Sequence, residues 1–177
     1  IEHLQMIKNT LRYVKATINS YLIYGMNVVR VGSVPVLQLE CYTDSDWMGN
    51  KETGRSSHGH CLLFNKSMIS WGSWEEKPPH LSTPEAEYAS LNKSCISTEA
   101  VRNVLHDDFL PYLHAHGYKF LLNRSAEMYV PEKFSIIPEI LEDNSGAIQI
   151  CHNSSSRTKH VPTKIHFVRF LRESGHL

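Results

Sequence analysis

Two apolar runs, at residues 61–64 and 68–74, are separated only by residues 65–67. A gap this short is typical of a hairpin between antiparallel strands. Upstream, residues 36–43 alternate apolar and polar side chains, the period of a strand that leads into Asp44. We therefore predict three antiparallel strands, so the fold must be built on a sheet.

Helices are predicted on both sides of these strands. Residues 2–22 should form a helix whose buried face carries apolar side chains at steps of three and four. These are Leu4, Ile7, Leu11, Val14 and Ile18. A second helix should open at Ser82 or Thr83, because Pro84 suits a first helical turn, and should run to about Leu105. The pattern predicts one α/β domain, which suits 177 residues.

The second half of the chain has a weaker pattern. Residues 106–135 mix Pro, Gly, Tyr and charged side chains without a period, so we predict an insertion or irregular linker there. A short strand at 140–142 should end at Asp143, and a helix should follow at 145–151. A last amphipathic helix should end at Gly175.

Composition limits the classes of function. The formal net charge is zero, which argues against binding nucleic acid by bulk electrostatics alone, so such binding would need a local basic patch. No apolar run is long enough to span a bilayer, and the first residues do not resemble a signal peptide. Four widely spaced cysteines are expected to be reduced core thiols. These features favour an intracellular protein, cytoplasmic or nuclear, without a membrane partner.

Three carboxylates should meet at neighbouring ends of these elements: Asp44, Glu87 and Asp143. Clustered carboxylates bind hard cations, and a pair of Mg²⁺ ions can activate water and stabilise the leaving oxygen of a phosphodiester. Each acid taken alone also has an ordinary structural interpretation. Asp44 and Asp143 could be turn or capping residues, and Glu87 could favour a helix start.

Four segments resemble the ribonuclease H region of copia-type (Pseudoviridae) LTR retrotransposon polyproteins, and they are spread over nearly the whole length of the chain. They are LRYVKAT at 11–17, YTDSDWMGNKETGRSSHG at 42–59, STPEAEYASL at 82–91 and EDNSGAIQICHNSSSRTKH at 142–160. The resemblance implies a ribonuclease H-like mixed sheet in which three antiparallel strands are followed by helix, strand and helix. It also implies a connecting helix at 1–24 and a ribonuclease H-like domain at 25–177, with the insertion at about 106–135.

The resemblance further implies a function. Such domains hydrolyse the RNA strand of RNA/DNA hybrids with two Mg²⁺ or Mn²⁺ ions, so Asp44, Glu87 and Asp143 would be the metal-binding and catalytic residues. Asp46, Asn144 and Ser145 are candidates for substrate contact, although Asp46 could be a turn residue where the chain leaves the strand. Partners would be a hybrid or other nucleic acid, and the rest of a polyprotein or a host protein.

A basic stretch follows the third acid. Arg157, Lys159 and His160 are candidates for phosphate contact, and the alternative is a solvated helix face. In the family a fourth Asp follows one further strand, and this chain ends at Leu177 before that segment. Pro162 also stands where the family usually has Asp. We therefore expect a diverged or truncated domain without the C-terminal part of the fold, with full or impaired activity, or a catalytically inactive binding protein derived from it.

Aromatic and histidine side chains allow other interpretations. Trp47, Trp71 and Trp74 could stack on bases, but we expect them to be buried or half-buried in the sheet. The pairs His58/His60 and His114/His116 lack a third spaced ligand, so the sequence implies no metal other than Mg²⁺ or Mn²⁺.

Overall fold

A computed structural model describes residues 2–24, 28–77, 80–122, 129–130, 136–152 and 164–176. The fold is mixed α/β, as predicted. Its helices are α1 (Glu2–Thr17), α2 (Thr83–Val104), α3 (Leu110–Ala115), α4 (Ser145–His152) and α5 (Lys164–Glu173). Its strands are β1 (Arg30–Val31), β2 (Val34–Leu37), β3 (Leu39–Asn50), β4 (Arg55–Phe64), β5 (Ser67–Glu75), β6 (Leu121–Leu122) and β7 (Glu139–Leu141). No helix among the described residues is both long and apolar enough to cross a membrane.

The larger sheet has the strand order β5-β4-β3-β7. The three predicted antiparallel strands are confirmed as β3, β4 and β5, and β7 joins β3 in parallel. The hairpin turn between β4 and β5 has two residues rather than three, because Ser67 already pairs with Phe64. Asn65 and Lys66 both have positive φ, at 50° and 63°, as a tight two-residue hairpin requires.

β3 is longer than predicted and passes through Asp44 as far as Asn50. Asp46 pairs with Ser57 of β4, and the register shifts only between Asp46 and Asn50, where Met48 has a φ of 54°. The interpretation of Asp46 as the residue where the chain leaves the strand is therefore wrong. A bulge after Asp46 bends the strand while pairing continues.

The smaller sheet has the order β1-β2-β6, with β1 antiparallel and β6 parallel to β2. Through β2 and the start of β3, all residues from Val36 to Cys41 are buried, including Gln38 and Glu40. The strand predicted here from alternating apolar and polar residues is confirmed, but its polar side chains Gln38 and Glu40 are buried as well. The buried carboxylate of Glu40 forms an ion pair with Lys66, which offsets the cost of removing its charge from water.

Helix α2 packs on β3 and anchors two apolar clusters. One cluster joins α2 to α4 and α5 through Tyr88, Leu91, Cys95, Ala147, Val168 and Leu171. The other surrounds Leu37, Leu39, Leu105, Leu110, Phe120, Leu122, Tyr129 and Ile136. All four cysteines are free, as predicted, and Cys41 and Cys95 are buried. The predicted helices at 145–151 and before Gly175 are confirmed as α4 and α5, and the strand predicted at 140–142 is β7.

The first helix ends at Thr17, five residues before the predicted end at residue 22. Its apolar stripe was predicted to be a buried face, but Leu4, Ile7, Leu11, Val14 and Ile18 are 52–75% exposed. The prediction of burial is wrong because helical spacing shows only that a stripe exists. Whether a stripe is buried depends on a neighbouring element, and the exposure of these side chains shows that no described element covers this one.

The helical part of the chain extends further than predicted. Beyond α2, residues Leu105–Phe109 form a π-helical turn that leads directly into α3. The prediction of irregular structure from residue 106 onward is wrong for these residues, because the helical backbone continues through Phe109 and Leu110 and includes Pro111. Residues 123–128 and 131–135 of the predicted insertion lie outside the described residues.

Candidate metal centre

The parallel pairing of β3 with β7 brings two of the three predicted acids together. Leu141 pairs with Tyr42, and Asp143 and Asp44 each lie two residues further along the chain. Because parallel strands run the same way, the two carboxylates lie at the same edge of the sheet. Glu87, in the first turns of α2, completes the group, and oxygen atoms of the three lie within 4.8 Å of one another.

A chain of hydroxyl groups fixes α2 over this edge. Ser94 donates a hydrogen bond to Thr43 (2.9 Å), the hydroxyls of Thr43 and Ser90 are 2.9 Å apart, and Ser90 donates to the carbonyl of Asp44 (2.9 Å). Thr43, Ser90 and Ser94 are all buried. Buried hydrogen bonds of this kind tie the height and rotation of the helix to the strand. They therefore determine where Glu87 meets Asp44.

A glycine allows the third element to approach. A Cβ atom at Gly146 would lie 2.8 Å from Cγ of Pro84 and 3.0 Å from Oδ1 of Asn144. Only glycine therefore lets the start of α4 pass so close to the start of α2. Asn144 caps α4, because its Oδ1 accepts a hydrogen bond from the N–H of Ala147 (3.0 Å).

Glu87 has the most perturbed environment of the three acids. It is 5% exposed. Burial, and then the charges of Glu142, Asp44 and Asp143, raise the pKa of Glu87 to about 7, against a hydrogen bond from the backbone N–H of Ser45 that lowers it. Its Oε2 atom is shielded from solvent and has no hydrogen-bond partner among the described residues. A buried carboxylate oxygen without a donor, facing two further carboxylates, fits a divalent cation.

A fourth acid, Glu142, stands beside this group and was missed by the sequence analysis. Burial raises the pKa of Glu142 to about 7, with smaller contributions from Asp143 and Asp44 and an opposing hydrogen bond from the N–H of Asn144 (3.0 Å). Glu142 does not belong to the set of oxygen atoms within 4.8 Å of one another. The sequence analysis treated Glu142 only as the end of the predicted strand, next to Asp143.

The predicted substrate residues are distributed unevenly. Asp46 and Ser145 are exposed, two residues after Asp44 and Asp143 respectively, whereas Asn144 uses its side-chain oxygen to cap α4. Arg157, Lys159 and His160 lie outside the described residues. The structure therefore brings together Asp44, Glu87 and Asp143, with Asn144 and Ser145 directly following the third acid.

The tryptophans were predicted to be buried or half-buried, and this is wrong for two of them. Trp71 is 66% exposed and Trp47 is 39% exposed, whereas Trp74 is half-buried. Trp71 pairs with Cys61 of β4, on the side of the sheet opposite to His58 and Trp74. Alternation along a strand cannot distinguish a covered face from an open one.

A second group of possible metal ligands was also missed. His58, Glu76 and His80 offer ligand atoms within 4.8 Å of one another. The sequence analysis paired His58 with His60 and found no third ligand. The signal was present in Glu76 and His80, which are four residues apart, but their approach to His58 depends on the pairing of β4 with β5.

Comparison with known proteins shows that the chain is similar to polyproteins of plant transposons. The retrovirus-related Pol polyprotein from transposon RE1 of Arabidopsis thaliana is 30% identical over 99% of the chain, and that from transposon TNT 1-94 of Nicotiana tabacum is 30% identical over 95%. The chain spans 10% of the length of each. Secreted RxLR effector protein 161 of Plasmopara viticola is 34% identical over 52% of the chain, which covers 60% of that protein.

No protein-family profile and no solved structure matches the chain. The two polyproteins nevertheless align with it almost from end to end. The homologues of this chain are therefore copia-type retrovirus-related Pol polyproteins of plant transposons, and the chain is a diverged homologue of one segment of them.

Proposed function

We propose that the chain is a ribonuclease H-like domain that hydrolyses the RNA strand of RNA/DNA hybrids with Mg²⁺ or Mn²⁺. The observation that carries this proposal is the meeting of Asp44, Glu87 and Asp143, with oxygen atoms within 4.8 Å of one another and a buried, unpartnered oxygen on Glu87. Three antiparallel strands, a helix across them and a parallel strand beside the first support the same fold. In this proposal residues 1–24 are a connecting segment that contains α1, and residues 25–177 are the domain.

The three carboxylates would hold the ions, which when bound activate water and stabilise the leaving oxygen of the phosphodiester. Asp44 and Asp143 are exposed, so they face the side from which substrate arrives, while Glu87 lies beneath them. Glu87 must lose its proton before it can act as a ligand. Because burial and neighbouring charges raise its pKa to about 7, metal binding should be coupled to proton release near neutral pH.

Selectivity for RNA requires a group that recognises the 2′-hydroxyl. The exposed carboxylate of Asp46 can accept a hydrogen bond from that hydroxyl, and the hydroxyl of Ser145 can donate one to a phosphate oxygen. The amide nitrogen of Asn144 is a further donor at this edge. Arg157, Lys159 and His160, which follow α4 in the sequence, are proposed to contact the phosphates of the hybrid.

The test is strand-selective cleavage by the purified chain. With Mg²⁺ or Mn²⁺ present, we expect cutting of the labelled RNA strand of a hybrid and no cutting of DNA duplex. Asp44→Asn and Asp143→Asn should each abolish it, while Asp108→Asn, an exposed acid in the π-helical turn, should not. Cleavage that persists in Asp44→Asn would show that another protein or another site is responsible.

A second candidate function is binding without catalysis, with the rest of a polyprotein or a host protein as partner. The exposed apolar stripe of α1 favours it, since a stripe of five side chains that are 52–75% exposed is suited to contact another chain. In that case a partner should bind wild type and Asp44→Asn equally, and Leu11→Glu on the stripe should weaken binding.

A further inference from the structure

Two imidazoles and one carboxylate form a cluster where the connection between β5 and α2 meets β4. His58 is in β4, Glu76 directly follows β5, and His80 precedes α2. Nε2 of His58 lies 3.9 Å from Oε2 of Glu76, and Nε2 of His80 lies 3.5 Å from the same oxygen. The side chain of His58 is fully buried, while those of His80 and Glu76 are 11% and 20% exposed. The cluster is therefore mostly shielded from solvent, and water can reach it beside Glu76 and His80.

These distances suit a shared ion. Two ligands at about 2.0–2.1 Å from Zn²⁺ in tetrahedral geometry lie about 3.3–3.4 Å apart. The separations of 3.5 Å and 3.9 Å are only slightly longer, so small side-chain movements would bring the three atoms to bonding distance. Two histidines and one glutamate form a known ligand set for zinc sites that keep the fourth position for water.

Neighbouring groups hold the two imidazoles in place. The ring of Trp74 stacks on His58, with centroids 5.6 Å apart and planes at 18°, and the rings of His58 and His80 meet edge to face at 5.3 Å. The indole N–H of Trp47 donates a hydrogen bond to the backbone carbonyl of His80 (3.0 Å). Ligands held in this way lose little freedom when they bind an ion.

The cluster differs in chemistry from the carboxylate group. Imidazole nitrogen is a ligand suited to Zn²⁺, Cu²⁺ and Ni²⁺, whereas a set of carboxylate oxygens alone suits Mg²⁺ and Mn²⁺. The two groups share no residue, although His58 pairs with Ser45, the residue that directly follows Asp44. The ligand types of the carboxylate group therefore suit a hard cation such as Mg²⁺, and those of the histidine cluster suit a softer cation such as Zn²⁺.

We propose that His58, Glu76 and His80 bind one Zn²⁺ ion, which ties the start of α2 to the β4–β5 hairpin. Binding of Zn²⁺ at this site does not require that the carboxylate group hydrolyses RNA. Because α2 carries Glu87, an ion bound here would also steady the helix from which that carboxylate projects.

The experiment is a Zn²⁺ titration of the purified chain in competition with a chromophoric chelator, with the visible spectrum of Co²⁺ as a report on coordination. We expect one ion per chain. His80→Gln and Glu76→Gln should each weaken binding by at least about 10–100-fold, the loss that removal of a supporting partner alone causes. Neither residue lies in the core, so the variants should keep the wild-type circular dichroism spectrum and melting temperature without metal.

His60→Gln is the matched control, because His60 lies two residues along the same strand and contacts the same Trp74 ring (5.6 Å) without belonging to the cluster. It should leave Zn²⁺ affinity unchanged, as should Asp44→Asn. The proposal is overturned if Zn²⁺ does not bind stoichiometrically, if His80→Gln binds like wild type, or if only Asp44→Asn lowers the affinity.

Discussion

Replacement of Glu87 by Gln should stabilise the protein at alkaline pH in the absence of metal, although it removes a central residue of the candidate site. Glu87 is buried, and burial together with the charges of Glu142, Asp44 and Asp143 raises its pKa from 4.5 to about 7. A tenfold change in the protonation equilibrium corresponds to about 1.4 kcal/mol. The shift is therefore equivalent to about 3 kcal/mol at most, and screening by solvent at the edge of the site should leave about 1–3 kcal/mol.

The sign of the effect follows from proton linkage. A carboxyl group with a raised folded pKa contributes stability that is fully present below pH 4.5 and is lost as the pH rises to about 7. Glutamine cannot ionise, so Glu87→Gln avoids this loss. We expect equal free energies of unfolding for the variant and wild type near pH 4.5, and a variant more stable by about 1–3 kcal/mol at pH 8.

The assay is urea denaturation of both proteins at pH 4.5 and pH 8 with a chelator present, followed by the same measurement with Mg²⁺ at pH 8. Mg²⁺ should stabilise wild type and have little effect on Glu87→Gln. Glu139→Gln, an exposed acid of β7, is the matched control and should show no pH-dependent difference. A variant that is less stable than wild type at pH 8, or a difference that is the same at both pH values, would refute the reasoning.

Three further predictions concern the support of the site. Gly146→Ala should destabilise the fold by about 1–3 kcal/mol in urea denaturation, because its Cβ would lie 2.8 Å from Pro84, whereas Gly59→Ala meets only an ordinary contact at 3.6 Å. Ser90→Ala should cost about 1–2 kcal/mol and slow cleavage, since it interrupts the hydroxyl chain to Asp44, while Ser97→Ala should have little effect on either measurement. The apparent affinity for Mg²⁺, measured by calorimetry, should rise with pH up to about 7 and level off above it, and a pH-independent affinity would contradict the raised pKa of Glu87.

Local patterns were sufficient to predict the part of the fold that carries the three acids. The strand before Asp44, the hairpin and the helix that begins near Pro84 each have a signal within a few residues, namely alternation, a short gap and a helix-start proline. Resemblance to the retrotransposon polyproteins then singled out Asp44, Glu87 and Asp143 from 18 acidic residues. The structure brings these three acids together.

The remaining features depend on contacts between distant residues. The stripe on α1 has helical spacing whether or not another element covers it, so its burial could not be predicted. His80 meets His58 only because β4 and β5 pair in a particular register, and Glu142 lies near Asp44 only because β7 pairs with β3. The continuation of α2 through a π-helical turn into α3 likewise has no simple sequence period.

The most direct test of the account is the single-turnover rate at which the purified chain cuts the RNA strand of a hybrid at saturating Mg²⁺, compared between wild type and Asp44→Asn. Two carboxylates should not replace three, so the account predicts measurable cleavage by wild type and a loss of at least about 100-fold in the variant, while Asp108→Asn retains the wild-type rate. A folded wild-type chain that binds Mg²⁺ and leaves the RNA strand intact would contradict the account.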